Sequence, residues 1–452
     1  MITLTPPQLQ KITAEATQYA EEMIDFIDRS PSPFHAVSAA SAALRSAGFV
    51  ELDERETWAT GLSAGQGYFV IRGGGSLIAF IMGAEPLPIA GARLVGAHTD
   101  SPNLRLKPRL AKVAQGQLLL DVEPYGGLMV ATWADRDLAL AGRVVVRDPR
   151  AGEGQRCVLI DSEKAICRIP TLAIHLNRAV NDEGLKLNKH KHLSPLLGQF
   201  EALAQQGESP SQVVARWIAS LADCAPEDII GHDLCLYDAQ KGSITGLDGS
   251  YLQIGRLDNL ASSYHGLTAL LERSQHATPP FTQVLSLFDH EEVGSQSSRG
   301  AQSTFLGDVL ARLCGGTGEA LSRCIRQSYQ VSADMAHAVH PHYADQHDGT
   351  HQPLMNHGPV IKNNVNTRYA TDGETSAIFR VACQRVGISA QEFVNRPDLA
   401  CGSTIGSITA ALLGLPTVDV GNPMWSMHSA REMAGVADQI LMHRALCSFY
   451  EG

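Results

Sequence analysis

Imidazole and carboxylate side chains stand directly after apolar runs at several places in this 452-residue sequence, where a buried strand should end and a loop should begin. They belong to His98, Asp258, Glu291, Glu292 and Asp334, and a further histidine, His428, stands just before a predicted helix. Because ligands of open α/β sheets collect beyond the carboxyl ends of the strands, we expect these groups to meet at one edge of a sheet. Donors of these types bind zinc, manganese or cobalt, so the pattern predicts a site for one or two divalent cations.

Each of these residues also has a structural explanation when it is taken alone. Asp258 could cap the helix that follows it, and Asp334 could accept a hydrogen bond from a nearby backbone amide. His98 could be a buried structural histidine, and His428 could be an ordinary residue of a helix N terminus. The single residues therefore leave the metal site open, and the prediction depends on their meeting in space.

The adjacent acids Glu291 and Glu292 are harder to explain structurally. Two carboxylates after the apolar pair Leu287 and Phe288 repel each other and lose solvation unless a cation compensates them. Asp100 follows His98 by two residues, and in an extended segment these side chains share a face. A carboxylate in that position could hold one ring nitrogen and direct the other toward a metal.

Strands alternate with helices over the first hundred residues and again over the last two hundred. This alternation predicts an α/β fold with a mainly parallel central sheet, and a last helix from Ser429. The glycine run 73–75 is predicted as a hairpin turn, because the Gly-Lys-Ser/Thr of a phosphate loop does not follow it. Short alternating runs between the two segments predict a β-rich insert. The predicted boundaries are 1–107 and 245–452 for one α/β domain and 108–244 for the insert.

Composition excludes some classes of partner. The chain has 47 acidic and 36 basic residues, a formal net charge of -11, and no long basic block, so we expect neither nucleic acid nor an anionic membrane surface as a partner. No apolar run reaches the ~18 residues of a spanning helix, and the start lacks the pattern of a secretion signal. The nine cysteines are scattered and form no CxxC pair, which predicts reduced thiols in a cytoplasmic protein and no structural zinc on cysteine.

Six segments together resemble the aspartyl aminopeptidase family, whose members are dinuclear zinc metallopeptidases that remove an N-terminal acidic residue from peptides. The segments are SPSPFHA at 30–36, AHTDSP at 97–102, DHEEVGS at 289–295, SADMAHAVHP at 332–341, RYAT at 368–371 and MHSAREM at 427–433. They occur in the order of the family, and the match as a whole runs from near residue 20 to near residue 445. The resemblance implies an α/β metallopeptidase domain that is interrupted by a β-rich dimerisation domain.

The same resemblance implies a role for each candidate residue. Asp258 is expected to bridge two divalent metal ions, zinc in the family, with manganese or cobalt as alternatives. His98 and Asp334 would complete the site of one ion, and Glu292 and His428 would complete the other. Glu291 would be the general base, and Asp100 would orient His98 without touching the metal.

The family also implies an assembly and a substrate pocket. Dimers formed through the insert are expected to assemble into a tetrahedral homododecamer. His175, in a loop that resembles one reaching into a neighbouring subunit, would contact substrate or steady the tetrahedral intermediate. Lys362 would meet the acidic side chain of the substrate. The predicted function is thus hydrolysis of N-terminal Asp or Glu from peptides with a free N terminus.

Two alternatives remain at the level of the sequence. The first is a dinuclear exopeptidase with neutral or broad specificity, because the shape of the pocket depends on loops and on a neighbouring chain. The second is a non-catalytic assembly protein that keeps the fold and binds peptides. The complete set of predicted ligands and the additional acid at Glu291 favour an enzyme.

Overall fold

The computed structural model describes residues 8–58 and 61–452, which fall into two compact units. The first unit contains the chain up to Asp100, Gly242–Met427 and Glu432–Gly452, and the second contains Ser101–Lys241 and His428–Arg431. The insert predicted from the sequence spans 108–244. The helices are α1 Ala14–Asp28, α2 Pro33–Ser46, α3 Leu87–Ala90, α4 Val180–Glu183, α5 Phe200–Leu203, α6 Pro210–Ala222, α7 Leu257–Arg273, α8 Phe305–Leu313, α9 Glu319–Gln327, α10 Gly373–Arg385, α11 Ile405–Leu413 and α12 Val436–Glu451.

The strands of the first unit form two sheets and those of the second unit form one. In chain order they are β1 Val50–Glu51, β2 Gly67–Arg72, β3 Ser76–Ile81, β4 Ala92–His98, β5 Asn103–Ala114, β6 Gln117–Tyr125, β7 Leu138–Arg147, β8 Gln155–Asp161, β9 Leu196–Gln199, β10 Ile229–Asp238, β11 Ser243–Thr245, β12 Tyr251–Ile254, β13 Thr282–Phe288, β14 Tyr329–Ala333, β15 Ala336–His337, β16 Val360–Asn363, β17 Gln391–Val394, β18 Thr417–Gly421, β19 Pro423–Trp425 and β20 Glu432–Gly435.

The main sheet of the first unit has nine strands in the order β1-β2-β3-β13-β4-β14-β18-β16-β17. The central strands β13, β4, β14 and β18 are parallel neighbours, and antiparallel pairings occur at β2-β3, β3-β13 and β18-β16. Every residue of β13 is buried, as expected of a strand covered on both faces. Helices α1, α7, α10 and α12 contribute to the core on one side, and α8, α9 and α11 contribute to another. The predicted mixed α/β fold is confirmed.

The second unit has a six-stranded sheet in the order β8-β7-β10-β5-β6-β9, and all its pairings are antiparallel. Its core combines alternate residues of these strands with the apolar face of α6. Side chains along β6 alternate between buried and partly buried, which is the period of two from which the sequence predicts a β-rich insert.

The hairpin at the glycine run is as predicted, since β2 and β3 pair antiparallel with Arg72 opposite Ser76. The last helix is different from the prediction. It begins at Val436 and not at Ser429, because β20 intervenes and pairs with both β12 and β19. Among the residues that the structure describes, no helix combines the length and the apolar composition needed to cross a bilayer.

Candidate metal centre

Three neighbouring strands of the nine-stranded sheet end at the same level. β13 and β4 run parallel with Phe288 opposite His98, and β14 runs parallel to β4 with Ser332 opposite Gly96. The segments that leave these ends carry the acids that follow β13 and β14 in the sequence. The register therefore brings the predicted side chains of the first unit to one edge of the sheet, as expected for parallel strands.

His98 lies at the centre of this group and is buried. Its Nε2 atom is 3.3 Å from Oδ1 of Asp258 and 3.8 Å from Oδ1 of Asp334. The Oε2 atom of Glu291 is 3.9 Å from the same nitrogen. The other ring nitrogen, Nδ1, is 3.0 Å from the backbone carbonyl oxygen of Asp100. A carbonyl can only accept, so Nδ1 donates its hydrogen there, and Nε2 is the ring nitrogen that faces the carboxylates.

The carboxylate of Asp100 connects two of the strand ends. Its Oδ1 accepts the backbone N–H of Glu291 at 3.0 Å, and its Oδ2 accepts the backbone N–H of Glu292 at 3.1 Å. Oδ1 is also 3.4 Å from Nδ1 of His98. Asp100 therefore positions the backbone of both glutamates as well as the histidine ring.

The electrostatics of the group show an excess of negative charge. Burial, together with the carboxylates of Asp334 and Glu292, raises the pKa of Glu291 to about 9, although His98 acts in the opposite direction. Burial lowers the pKa of His98, but its hydrogen bonds to Asp100 and other carboxylates outweigh burial and raise that pKa well above its usual value. Both shifts favour bound protons, because the buried carboxylates need more positive charge than the side chains supply. A divalent cation would supply this charge.

The donor atoms fit such a cation in chemistry and spacing. Ligand atoms of His98, Asp258 and Asp334 lie within 4.8 Å of one another, and so do those of His98, Glu291 and Glu292. Two ligand atoms on a tetrahedral zinc ion are separated by roughly 3.3 Å, given bond lengths near 2.0–2.1 Å. The His98–Asp258 separation of 3.3 Å has this value.

Three residues that the sequence analysis missed hold the ligands in place. Glu432 accepts the backbone N–H of Asp258 at 3.2 Å, and Ser263 donates to the carbonyl oxygen of His98 at 2.8 Å. Asn259, which follows Asp258, donates to the carbonyl oxygen of Ala333 at the end of β14 at 2.9 Å. Glu432 lies within the family motif at 427–433, so its position was a usable signal, whereas nothing local in the sequence marks Ser263.

Lys362, which is predicted to contact the acidic side chain of the substrate, lies in β16 and is only 3% exposed. Its Nζ is 3.3 Å from Oδ2 of Asp334 and donates to the carbonyl oxygen of Met335 at 3.1 Å. The ring centre of Tyr369 is 5.2 Å away. The ammonium group thus adjoins the metal-ligand candidates from one side, where it offsets part of their negative charge.

The remaining two candidates belong to the second unit. His428 places Nδ1 3.2 Å from the carbonyl oxygen of Gly127, the same arrangement of Nδ1 and carbonyl that His98 shows. His175 lies in the short 3-10 helix Ile174–Leu176, which is exposed throughout. The structure therefore brings the candidates of the first unit together at the sheet edge and presents His175 on a surface.

Helices cover both faces of the main sheet, and imidazole and carboxylate donors lie where its parallel strands end. This fold and this site together define a candidate metal-dependent hydrolase. A family model described as aminopeptidase I zinc metalloprotease (M18) matches residues 26–450 of this chain. The chain belongs to the M18 aminopeptidase family, which includes aspartyl aminopeptidase. The prediction of a metallo-aminopeptidase, a hydrolase of peptide bonds, is confirmed.

Curated relatives match over nearly the whole chain. A probable M18 family aminopeptidase 2 from Ectopseudomonas mendocina (strain ymp) is 46% identical over 428 residues, covering 95% of this chain and 97% of the relative. Its counterpart from Stutzerimonas stutzeri (strain A1501) is 47% identical over 429 residues, with the same coverage.

Solved structures share the fold. Ape4, determined by cryo-EM in complex with Nbr1, superposes with a TM-score of 0.94 at 38% identity, covering 98% of this chain and 87% of that chain. The S. cerevisiae mApe1 dodecamer gives a TM-score of 0.84 at 28% identity, covering 97% of each chain.

Replacing the carboxylate nearest to Nε2 of His98 should weaken metal binding. We expect Asp258→Asn to lower the affinity for zinc by more than about tenfold, because it removes a full negative charge from the group of donors. Metal content after dialysis against buffered zinc measures this. Asp248→Asn, an exposed position of the same unit, is the control and should bind like the wild type. Equal metal content in the two variants would contradict the assignment.

Proposed function

We propose that this protein is an aminopeptidase that removes N-terminal Asp or Glu from peptides and uses two divalent cations, zinc in the first instance. The observation that carries the proposal is the group of buried acids around Nε2 of His98, with Glu291 at 3.9 Å. The family description as a zinc metalloprotease and the M18 relatives support the chemistry. The number of ions and the acidic specificity are parts of the proposal.

Five side chains are proposed as ligands. Asp258 would serve both ions, His98 and Asp334 would complete the ligands of one, and Glu292 and His428 would complete those of the other. In both histidines Nδ1 is engaged by a backbone carbonyl oxygen, so that Nε2 is the nitrogen that can bind a metal. A hydrogen bond of this kind at the second ring nitrogen is the usual companion of a metal-bound imidazole.

The remaining groups act on the proton and on the substrate. When bound, the cations lower the pKa of water toward ~7 and polarise the scissile carbonyl group. Glu291 takes a proton from the attacking water onto its carboxylate and later gives it to the leaving amine. Asp100 keeps Glu291 in place by accepting its backbone N–H.

The role of Glu291 as a base can be separated from metal binding. We expect Glu291→Gln to retain the metal content of the wild type, because its neighbours supply the ligands, and to lose about 10²- to 10⁴-fold in kcat, the usual contribution of a positioned base. Steady-state hydrolysis of aspartyl amides, paired with metal analysis, measures both. Glu319→Gln, an exposed site, is the control. A variant with near-normal kcat and full metal content would exclude Glu291 as the base.

The acidic specificity is assigned to Lys362. Its ammonium lies beside Asp334, so a substrate held by the metals would bring its first side chain toward the same region. The buried amine has a second possible role, which is to hold Asp334 in place. The two roles differ in their effects on the substrates and on the metal.

Lys362→Met removes the charge but keeps an unbranched chain. If Lys362 selects acidic residues, the ratio of kcat/KM for aspartyl over leucyl amides should fall by about ten- to a hundredfold, the value of a hydrogen bond to a charged group, while metal content stays constant. Lys362→Arg keeps the charge and serves as the comparison. Equal loss on both substrates together with metal loss would show that Lys362 only positions Asp334. A wild-type ratio near one would favour neutral or broad specificity.

The proposed oligomeric assembly is supported by the resemblance to the family and by one exposed segment of this chain. The related mApe1 structure is described as a dodecamer. In this chain the segment around His175 exposes three large apolar side chains, Leu172, Ile174 and Leu176, the last of them to 74%. Clustered exposed apolar side chains mark contact sites. We therefore assign the insert as the dimerisation domain of a tetrahedral dodecamer and His175 as a residue that serves the partner's site.

Action of His175 in a partner subunit can be tested by mixing inactive chains. His175→Ala and Glu291→Gln should each be inactive alone. When they are co-expressed, a mixed dimer contains one site with an intact base and an intact His175 from the other chain, so about a quarter of wild-type activity should return with random pairing. Activity and sedimentation measure the result. The absence of recovery in assembled mixtures would show that His175 does not act across subunits.

A further inference from the structure

A second group of metal-binding side chains lies at the far end of α7. Glu272 in the last turn of α7 faces His443 and Cys447 of α12, and one ligand atom from each lies within 4.8 Å of the others. The two α12 residues are four apart and so share one helix face. None of these three residues belongs to the predicted catalytic set.

The contacts of His443 fix the orientation of its ring. Nδ1 is 3.0 Å from the hydroxyl oxygen of Thr268, which also lies 2.9 Å from the carbonyl oxygen of Tyr264. Nε2 is 2.9 Å from Oε2 of Glu272 and 3.6 Å from the sulfur of Cys447. Nε2 is therefore the ring nitrogen directed at the other two donor atoms.

Donor atoms of three residues thus converge beside Nε2, because one ligand atom each of Glu272, His443 and Cys447 lies within 4.8 Å of the others. Metal ligands bind in their deprotonated forms, so a cation at this point would take the place of the protons that the imidazole nitrogen and the thiol otherwise carry.

We propose that Glu272, His443 and Cys447 form a binding site for a zinc-like divalent cation, separate from the catalytic centre, that links α7 to α12. Imidazole, thiolate and carboxylate together are a donor set of zinc. On a tetrahedral zinc ion, a sulfur and a nitrogen ligand are separated by about 3.5 Å. The observed Nε2–Sγ separation is 3.6 Å, and the half-exposed Glu272 can adjust to the third position.

The surroundings of the site favour a cation and give it access. The group borders a cavity of about 430 Å³. Four carboxylates line this cavity, those of Glu15, Glu22, Glu272 and Glu451, against the single guanidinium of Arg444. Arg444 is paired with Glu15 at 2.6 Å, and Arg273 is paired with Glu451 at 2.8 Å. The charges of Glu22 and Glu272 remain in excess and attract cations, and the exposed side of Glu272 leaves a path for hydrated metal.

Cobalt distinguishes this site from the catalytic one, because only this site offers a thiolate. After removal of metals by a chelator and reloading with Co²⁺, wild-type protein should show thiolate-to-cobalt charge-transfer absorption in the near ultraviolet. Cys447→Ser should lose this absorption and about one equivalent of cobalt. Cys157→Ser, which removes an exposed thiol of the other unit, should keep both.

Glu272→Gln provides a second measurement on a half-exposed side chain that can change without disturbing the core. We expect it to keep the thiolate band but to need at least about tenfold more cobalt for half saturation, since a charged ligand is lost. The catalytic ligands are intact in all these variants. The proposal is overturned if wild-type protein shows no thiolate band, if Cys447→Ser retains it, or if Glu272→Gln saturates at the same cobalt concentration as the wild type.

Discussion

The candidate metal centre depends on the hydrogen bonds that the carboxylate of Asp100 accepts. This carboxylate accepts the backbone N–H groups of Glu291 and Glu292 and adjoins the ring of His98, so one side chain joins the end of β4 to the turn after β13. Parallel pairing alone brings these two strands to the same level but leaves the direction of the following turn open. Asp100 determines that direction, because its two oxygens align two successive amides. Glu291, the proposed base, and Glu292, a proposed ligand, therefore keep a constant offset from His98.

Charge is the second constraint on the same centre. Buried carboxylates repel one another, and each is stable only with a compensating positive group. Within the first unit, His98 supplies part of this charge and Lys362 supplies more through its contact with Asp334. The raised pKa values of Glu291 and His98 show that this compensation is incomplete. A fold that keeps the acids buried despite this cost has the electrostatics of a cation site, and metal binding should stabilise the fold as well as activate it.

The sequence predicts the position of a residue where a local rule of strand or helix geometry determines that position. Glu291 and His98 could be placed at one sheet edge because the carboxyl ends of parallel strands coincide there. Contacts between segments far apart in the sequence could not be predicted, because no local rule determines them. Glu432 holds the backbone of Asp258 across 174 positions, and β20 takes residues that local propensity assigned to the last helix, since pairing with β12 and β19 outweighs propensity. The burial of Lys362 against Asp334 is likewise a tertiary outcome.

Helix α7 connects the catalytic centre with the second proposed cation site. Its first turn holds Asp258 and its last turn holds Glu272, and a helix of 17 residues is about 25 Å long. The first turn is tied to β14 through Asn259, and a cation joining Glu272 to His443 would tie the last turn to α12. The two proposed sites would thus hold opposite ends of one helix against different neighbouring elements, so that polar and metal contacts, as well as apolar packing, determine the position of α7.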